Sequence, residues 1–234
     1  MRAVFVTGTD TDVGKTVVVG LLAGYLLEKG VNAVTQKWIQ TGTGEACDIE
    51  THLLLMKKSK EDYQRYLPDM QPYGFKMAAS AHLAASKEKV EISAEKIKKS
   101  FEKLNRDFEF VIAEGIGGVL VPYSDKGLVI NIAKELGLGV IVVVKNRLGA
   151  INHTLLTIEA IKARGMKIIG IIFNATPEVE SQEILKDNIR IIEKITGEAV
   201  LGSLPWSEDM GTLSGVFGSI GEKIYQRIKE DGVR

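Results

Sequence analysis

The amino-acid sequence predicts an α/β fold, with a single domain over residues 1–234 and a mostly parallel β-sheet covered by helices on both faces. Strand-like and helix-like segments alternate along almost the whole chain, as expected when helical crossovers join parallel strands. The segments "FEFVIAEG", "GVIVVVKN" and "KIIGIIFNA" are continuous apolar runs, typical of strands buried on both faces. Ligands of such sheets bind beyond the carboxyl ends of the strands, so we expect the functional residues to follow the strands.

In the first half of the chain, short apolar runs alternate with longer segments that are apolar on one face. The predicted elements are a strand at 3–8, a helix at 14–30, a strand at 31–38 and a helix at 47–58. Gly30 stops the first helix, and the second has an acidic first turn. Residues 59–76 contain Pro68, Pro72 and Gly74, and we predict an irregular segment there.

The second half begins with an amphipathic helix at 93–106, for which Ser93 is the expected N-cap and Glu95 lies in the first turn. Apolar runs then predict the buried strands, and amphipathic segments predict the helices between them. The predicted elements are strands at 108–115, 139–146, 167–175 and 199–206, and helices at 150–164, 180–196 and 219–231.

The composition favours a small-molecule partner. Lys+Arg and Asp+Glu balance at 30 each, so no strong field points to nucleic acid or to an anionic membrane. The apolar run after Met1 is too short for a signal peptide, and no stretch approaches the roughly 18 apolar residues of a membrane span. Cys47 is the only cysteine, which excludes an intrachain disulfide. We therefore expect a cytoplasmic protein.

The segment "VTGTDTDVGKTV", residues 6–17, looks like a phosphate-binding loop with an unusual number of residues between its two glycines. Gly8 and Gly14 enclose five residues, whereas the usual spacing is about four. The segment nevertheless joins a strand to a helix, so its backbone N–H groups and the helix N-terminus could surround phosphate. Lys15 would reach the β- and γ-phosphates, and the Thr16 hydroxyl would face Mg²⁺. An ordinary glycine turn is the alternative; the context favours a phosphate-loop NTPase-like fold.

Three charged side chains follow the next strands. Lys37 ends the second strand, Asp48 opens a helix, and Glu114 ends an apolar strand. A strand-end carboxylate beside a phosphate loop is typical of nucleotide hydrolases, where it holds Mg²⁺ directly or through water. A solvated lysine and a simple helix-terminal charge are the alternatives for Lys37 and Asp48.

The segment "NATP" at Asn174 lacks the Asn-Lys-x-Asp pattern of guanine-specific proteins, so the sequence disfavours GTP. The three histidines, His52, His82 and His153, lack the spacing of a metal site. We interpret them as surface or helix-capping residues.

Together these motifs resemble the dethiobiotin synthetase family, whose phosphate loop also carries five residues between its glycines. Further similarity lies in "KWIQTG", "PYGFKMAASAHLAA", "AEGIGGVLVP", "LGAINHTLLT" and "GSLPW", in the family's order and over most of the chain. Trp38 and Ala81 replace prolines of the family pattern. Neither residue carries a reactive group, so the departure concerns the shape of the pocket near Lys37.

The resemblance implies closure of a cyclic urea from 7,8-diaminononanoate and CO₂, with hydrolysis of ATP and with Mg²⁺. Its implied catalytic residues are Lys37, Lys15 and Thr11, and its implied metal ligands are Thr16, Asp48 and Glu114. The implied ATP-binding residues are Asp12, Val13, Gly14, Lys15, Thr16, Val17, Asp48, Glu114, Gly115, Ile116, Gly117, Asn174, Ala175, Leu204, Pro205 and Trp206.

The resemblance also implies a homodimer in which each active site is shared. Thr41 would contact the diamine or its carbamate. Gly149, Ala150 and Asn152 of the second subunit would hold the carboxylate tail, because unpaired N–H groups at a helix start attract an anion. The simpler alternative is that Asn152 only caps its own helix.

Three other functions remain open from the sequence. One is a different ATP-dependent amide- or urea-forming ligase on the same fold, and another is a small-molecule kinase. The third is a non-catalytic nucleotide switch like the partition ATPases, but those carry a second lysine early in the loop, where Asp10 stands here.

Overall fold

The computed structural model describes residues 3–43, 47–125, 127–176 and 181–232. In chain order the elements are β1 (Ala3–Gly8), α1 (Lys15–Glu28), β2 (Ala33–Lys37), β3 (Ile39–Thr41), α2 (Asp48–Leu55), a 3₁₀ turn (Glu61–Tyr63), α3 (Leu67–Met70), β4 (Tyr73–Phe75), α4 (Ala81–Lys87), α5 (Ala94–Asp107), β5 (Phe110–Gly118), β6 (Pro122–Ser124), β7 (Gly127–Leu128), α6 (Val129–Glu135), β8 (Gly139–Lys145), α7 (Ala150–Lys162), β9 (Ile168–Asn174), α8 (Gln182–Thr196), β10 (Val200–Leu204) and α9 (Met210–Gly232).

Within the described residues, the main sheet has six strands in the order β10-β9-β8-β1-β5-β2. Every neighbouring pair in it is parallel, which confirms the predicted sheet. The crossover from β1 to β2 runs toward one edge, and the later crossovers run toward the other. Right-handed connections therefore place α1 on one face and α5, α7 and α8 on the opposite face.

The remaining helices complete both layers. Helices α2 and α9 pack against α1, and α7 packs against α8. The core lies between the sheet and these layers, and its largest fully buried side chains include Trp38, Phe5, Phe173 and Phe217. Among the described residues, no helix is both long enough and apolar enough to cross a membrane.

The prediction of an irregular segment at 59–76 was partly wrong. This segment contains a 3₁₀ turn, the short helix α3 and strand β4, which pairs with β3 in a small separate sheet. Pro68 is tolerated because it lies in the first turn of α3, where no intrahelical N–H bond is lost. The partner strand β3 is far away in sequence, so no local pattern revealed the pairing.

The terminal helix begins at Met210 and not at Ser219 as predicted. Glycines in its first half weaken the local helical signal, but tertiary packing stabilises this segment. Leu213 and Phe217 are buried there, and α9 packs against α1. The helices α4 and α6 were not predicted; both have only seven residues.

Candidate active site

The loop between β1 and α1 has the strand-loop-helix context expected of a phosphate-binding loop. Gly14 forms the N-cap of α1 with φ 92°, a left-handed conformation that favours glycine. A Cβ atom at Gly14 would lie 1.8 Å from Nδ2 of Asn174, so there is no room for a side chain. The Asn174 amide donates to the Val13 carbonyl oxygen at 3.0 Å. The end of β9 is thereby attached to the phosphate loop.

Lys15 lies at the first position of α1 with its side chain folded back over the loop. Its Nζ donates to the Asp10 carbonyl oxygen at 2.9 Å, and only 6% of the residue is exposed. Burial, reinforced by the positive charge of Lys37, lowers the pKa of Lys15 to about 8. An anionic phosphate placed here would supply the charge partner that this ammonium group needs.

Lys37 and Glu114 lie next to each other on two adjacent strands of the sheet. They are paired in the parallel register of β2 and β5, and Lys37 Nζ lies 2.6 Å from Glu114 Oε1. Strand β5 continues to Gly118, so the prediction that Glu114 ends its strand was wrong. Asp48, the first residue of α2, also places its Oδ2 at 2.6 Å from Lys37 Nζ. One ammonium group therefore bridges two carboxylates.

The charges of this cluster stabilise one another although they are buried. Burial alone would lower the pKa of Lys37, but the carboxylates of Glu114 and Asp48 outweigh it and raise that pKa. Burial would likewise raise the pKa of Glu114, but Lys37 and a hydrogen bond from His52 hold it down at about 2. At neutral pH the Lys37 ammonium group thus lies beside an ionised Glu114 carboxylate.

A cavity of about 310 Å³ lies in front of this cluster. It brings together most of the residues that the sequence singled out for the phosphate and metal chemistry: Thr11, Asp12, Gly14, Lys15, Thr16, Lys37, Thr41, Asp48, Glu114, Ile116 and Gly117. The side chains of Val13 and Val17 are not among its lining residues, and Gly115 participates through its carbonyl oxygen, which accepts from Lys37 at 3.1 Å.

Two lining residues, Ile39 and Gln40, were not anticipated from the sequence. The Gln40 side chain accepts a hydrogen bond from the backbone N–H of Asp48 at 3.3 Å and donates to the Thr41 carbonyl oxygen at 3.1 Å. It therefore orients two residues of the site. Its position between Lys37 and Thr41 in "KWIQTG" was the available signal.

The oxygen atoms at the cavity match what Mg²⁺ prefers. Thr16 Oγ1 donates to Glu114 Oε1 at 3.0 Å, and the Asp48 carboxylate contacts the same Lys37 ammonium group as Glu114. Mg²⁺ is usually bound by one or two carboxylates together with phosphate oxygens and water. In the part of the chain that the structure describes, no cluster of three or more His, Cys, Asp or Glu residues could hold a metal alone. The donor set therefore fits Mg²⁺ that arrives with a nucleotide.

The interpretation of His52 as a surface or helix-capping residue was wrong. His52 is fully buried on α2, with Nε2 at 2.8 Å from Glu114 Oε2 and Nδ1 at 3.1 Å from Thr35 Oγ1. His82 and His153 are exposed, as expected. The spacing of His52 one helical turn after Asp48 was a usable signal, because residues four apart share a helix face.

The residues expected around the adenine base lie at the carboxyl ends of β9 and β10. Asn174 pairs in register with Leu204, and the Ala175 N–H donates to the Leu204 carbonyl oxygen at 2.9 Å. The Leu204 side chain is fully buried, whereas Trp206 is 56% exposed and Pro205 is also exposed. Of that segment, only Pro205 and Trp206 present accessible side chains.

The start of α7 lies apart from the Lys37 cavity. Gly149 is its N-cap with φ 86°, and Asn152 is exposed on the first turn. The expectation that all N–H groups here are unpaired was wrong for Ala150, which donates to the Arg147 carbonyl oxygen at 3.1 Å. Ala150 instead lines a second cavity of about 210 Å³, which it shares with residues 9–13 of the phosphate loop.

The comparison with solved structures confirms the fold class. The MinC:MinD cell division complex of Aquifex aeolicus matches with a TM-score of 0.62 at 12% identity, covering 97% of this chain and 96% of that one. The pNOB8 ParA bound to nonspecific DNA also has a TM-score of 0.62, at 13% identity, covering 98% and 99%. At this identity the likeness concerns the fold alone.

The family of the chain follows from its similarity in sequence to known proteins. A family model described as an AAA domain matches residues 2–213. The ATP-dependent dethiobiotin synthetase BioD of Halalkalibacterium halodurans is 37% identical, covering 91% of this chain and 88% of that protein. That of Bacillus cereus (strain AH820) is 35% identical, covering 100% and 96%. The chain therefore belongs to the ATP-dependent dethiobiotin synthetase family.

Proposed function

We propose that this protein is an ATP-dependent ligase that closes the cyclic urea of dethiobiotin, in biotin biosynthesis. Its substrates are 7,8-diaminononanoate, CO₂ and ATP, and ADP and phosphate are released. The observation that carries the proposal is the joint placement of Lys15, Lys37 and the Asp48 and Glu114 carboxylates around one cavity at the phosphate loop. Membership of the family supports the choice of this ligase chemistry.

The reaction gathers negative charge at each stage. One amine of the diamine adds to CO₂ and loses a proton, giving a carbamate. A carbamate oxygen then attacks the γ-phosphorus of ATP, and the bond to ADP breaks. The second amine attacks the carbonyl carbon of this mixed anhydride, phosphate leaves, and the ring closes. Such a sequence needs cations and N–H donors more than a strong base.

The chain supplies these cations at the cavity. Lys15 would stabilise the migrating phosphoryl group, and Lys37 would stabilise the carbamate from its position between two carboxylates. Thr11 would add a hydrogen bond from the loop. Thr41 lines the same cavity next to Lys37 and would contact the diamine or its carbamate. The burial of Lys37 strengthens its field, because little water screens it.

Thr16, Asp48 and Glu114 would hold Mg²⁺ together with the nucleotide. When bound, the metal would supply positive charge that stabilises the phosphoryl group during its transfer. Both carboxylates already accommodate one cation, the Lys37 ammonium group. A metal ion would thus share ligands with Lys37, which links metal binding to the position of that side chain.

The nucleotide base would lie beyond Gly14, at the ends of β9 and β10. Asn174 and Ala175 would recognise adenine, and the exposed Pro205 and Trp206 would cover its face. The contact between Asn174 and the Val13 carbonyl oxygen supports this, because Asn174 then lies beside the phosphate loop.

We also propose a homodimer in which α7 of the second subunit holds the carboxylate tail of the diamine. Within one protomer, the start of α7 lines a different cavity from Lys37. Leu148, just before α7, is 73% exposed, and Leu120 and Leu156, which line a further cavity together, are 48% and 56% exposed. Clustered apolar exposure of this kind is typical of an interaction surface.

We propose that residues 1–234 form one domain and that the protein acts in the cytoplasm. Its proposed partners are small molecules and a second copy of the chain, and not nucleic acid or a membrane. A continuous core around the sheet supports one domain. The presence of Cys47 as the only cysteine fits a reducing compartment.

The decisive experiment is mass-spectrometric detection of dethiobiotin after the protein is mixed with the diamine, bicarbonate and MgATP. Phosphate release should require both the diamine and bicarbonate. Diamine-independent turnover that DNA or a protein stimulates would instead support a switch ATPase of the partition type. Consumption of ATP with a different product would indicate another ligase or a kinase.

A further inference from the structure

The buried imidazole of His52 contacts the carboxylate at the centre of the site. Its Nε2 lies 2.8 Å from Glu114 Oε2, and its Nδ1 lies 3.1 Å from the Thr35 hydroxyl oxygen. His52, Thr35 and Glu114 are all fully buried, so water does not satisfy these groups. Buried polar atoms of this kind require protein partners, and here each ring nitrogen has one.

The direction of the two hydrogen bonds follows from the other partners of Glu114. Its Oε1 atom pairs with the Lys37 ammonium group and accepts from the Thr16 hydroxyl, so the group is a carboxylate that accepts hydrogen bonds at Oε2 as well. The hydrogen in the 2.8 Å contact therefore belongs to His52 Nε2. In the neutral ring Nδ1 is then the acceptor, and the Thr35 hydroxyl is the donor that matches it.

The two carboxylate oxygens of Glu114 therefore accept hydrogen bonds from different donors. Oε2 accepts from His52 on the buried side, while Oε1 accepts from Lys37 Nζ at 2.6 Å and from Thr16 Oγ1 at 3.0 Å. Without a donor at Oε2, rotation of the carboxylate would exchange the two oxygens or turn both away from the cavity. The hydrogen bond from His52 opposes this rotation.

Helix α2 contacts both residues of the Lys37–Glu114 pair. Asp48 and His52 lie one turn apart on it, so Asp48 reaches Lys37 while His52 reaches Glu114. Helix α2 packs directly against α1 at Gly20, which has no side chain: a Cβ there would lie 2.7 Å from Leu55 Cδ1 and 3.2 Å from the Cα of His52. The position of His52 is thus fixed by helix packing.

We propose that His52 is a positioning residue, oriented by Thr35, that holds the Glu114 carboxylate with Oε1 directed at Lys37 and at the magnesium site. The proposal rests on the proposed function, in which Glu114 binds Mg²⁺ with the nucleotide. Hydrogen-bond partners of metal ligands typically change metal affinity or activity by about 10–100-fold when they are removed.

Two amide variants separate positioning from packing. In His52→Gln the side-chain amide nitrogen can reach the place of Nε2 and donate to Glu114, whereas in His52→Asn it reaches only the place of Nδ1. Both are neutral and polar. We expect His52→Asn to weaken Mg²⁺-dependent binding of a non-hydrolysable ATP analogue by about 10–100-fold, measured by calorimetry, and His52→Gln to recover most of it. Binding of the analogue without Mg²⁺ should change little in either variant.

A spectroscopic measurement on the unaltered protein makes the test independent of whether the variants fold. Nitrogen-15 NMR of the histidine side chains should show a hydrogen on Nε2 of His52. In Thr35→Val, which keeps the shape but lacks the hydroxyl, the Nδ1 signal should shift. A ring protonated only at Nδ1 would overturn the proposal, as would equal Mg²⁺-dependent binding in His52→Asn and His52→Gln.

Glu114→Gln, measured in parallel, distinguishes this inference from the proposed function. If Glu114→Gln loses Mg²⁺-dependent binding and His52→Asn retains it, His52 has no positioning role and the proposed function stands. If Glu114→Gln retains it, the magnesium role of Glu114 in the proposed function fails, and so does the positioning of Glu114 toward a metal.

Discussion

Lys37 and Glu114 stand opposite each other on adjacent parallel strands, and their Nζ and Oε1 atoms are 2.6 Å apart. Both are buried, with 5% and 0% of the residue exposed. A buried ion pair contributes little net stability, but removal of one partner leaves an uncompensated charge. The pair is therefore best explained as the means of holding an ammonium group at the cavity.

Lys37→Ala should suppress product formation while ATP still binds. Loss of a donor that acts on developing charge typically lowers kcat by about 10²–10³-fold. Because Glu114 then loses its partner, the free energy of unfolding should also fall, by about 3–5 kcal/mol as for other broken buried pairs. Steady-state kinetics, nucleotide binding and denaturant unfolding measure the three effects. Unchanged kcat would remove Lys37 from the mechanism.

Glu114→Gln should raise the Mg²⁺ concentration needed for half-maximal activity, because a neutral amide binds the metal less well than a carboxylate. A titration of activity with Mg²⁺ measures this. Glu135→Gln, which removes a surface carboxylate paired with Lys98, is the matched control. Thermal stability should fall as well, because Lys37 loses one of its buried partners. If added Mg²⁺ fails to restore activity while the protein remains folded, Glu114 does not act through the metal.

A shared active site predicts complementation between inactive subunits. Asn152 is exposed, so Asn152→Glu should repel the substrate carboxylate without disturbing the fold, whereas Ala150 is buried in its own protomer. Mixed with Lys37→Ala protomers under subunit exchange, one of the two sites in each mixed dimer combines two intact halves and should regain activity. Asn152→Gln, which lengthens the side chain without adding a charge, is the control. Persistent inactivity despite demonstrated exchange would rule out the shared site.

Trp38, which stands where the resemblance expects proline, should matter for stability and not for catalysis. Its ring stacks on Phe5 with centroids 4.8 Å apart, and its Nε1 donates to Gln36 Oε1 at 2.9 Å. Trp38→Ala should lower the free energy of unfolding by about 3–5 kcal/mol, as is typical of a buried aromatic, and Trp38→Phe by less. Urea unfolding measures both. A large rise in the KM for the diamine in Trp38→Phe would show that the ring shapes the substrate pocket.

The exposed cluster around Glu222 predicts a pH dependence of stability. Hydrogen bonds from Tyr25, Gln226 and Lys29 hold the pKa of Glu222 at about 2, below its ordinary value of 4.5. The cluster therefore stabilises the fold above about pH 4.5 and loses this effect as the pH falls toward 2. Glu222→Gln should unfold at lower urea concentration at pH 7, and this difference should shrink by pH 2.5. High salt should reduce it as well.

The sequence by itself determined the features that depend on neighbours along the chain. The phosphate loop is contiguous, so its glycines, Lys15 and Thr16 could be recognised from spacing and from the strand and helix on either side. The buried strands were recognisable because an apolar run is a local property. Ser93 was correctly predicted as an N-cap, and its Oγ accepts from the Lys96 N–H. Lys37 and Glu114 were selected for the same reason, from their positions relative to strands.

Only the tertiary structure decided which of these residues meet. The register of β2 against β5 places Lys37 opposite Glu114, and the close packing of α2 on α1 buries His52 against the same carboxylate. Both contacts join residues more than 60 positions apart, and no local pattern contains them. Parallel strands bring distant segments together through crossovers, and burial then determines which polar groups must find partners. His52 therefore resembled a surface residue in the sequence, although in the folded protein it lies at the centre of the site.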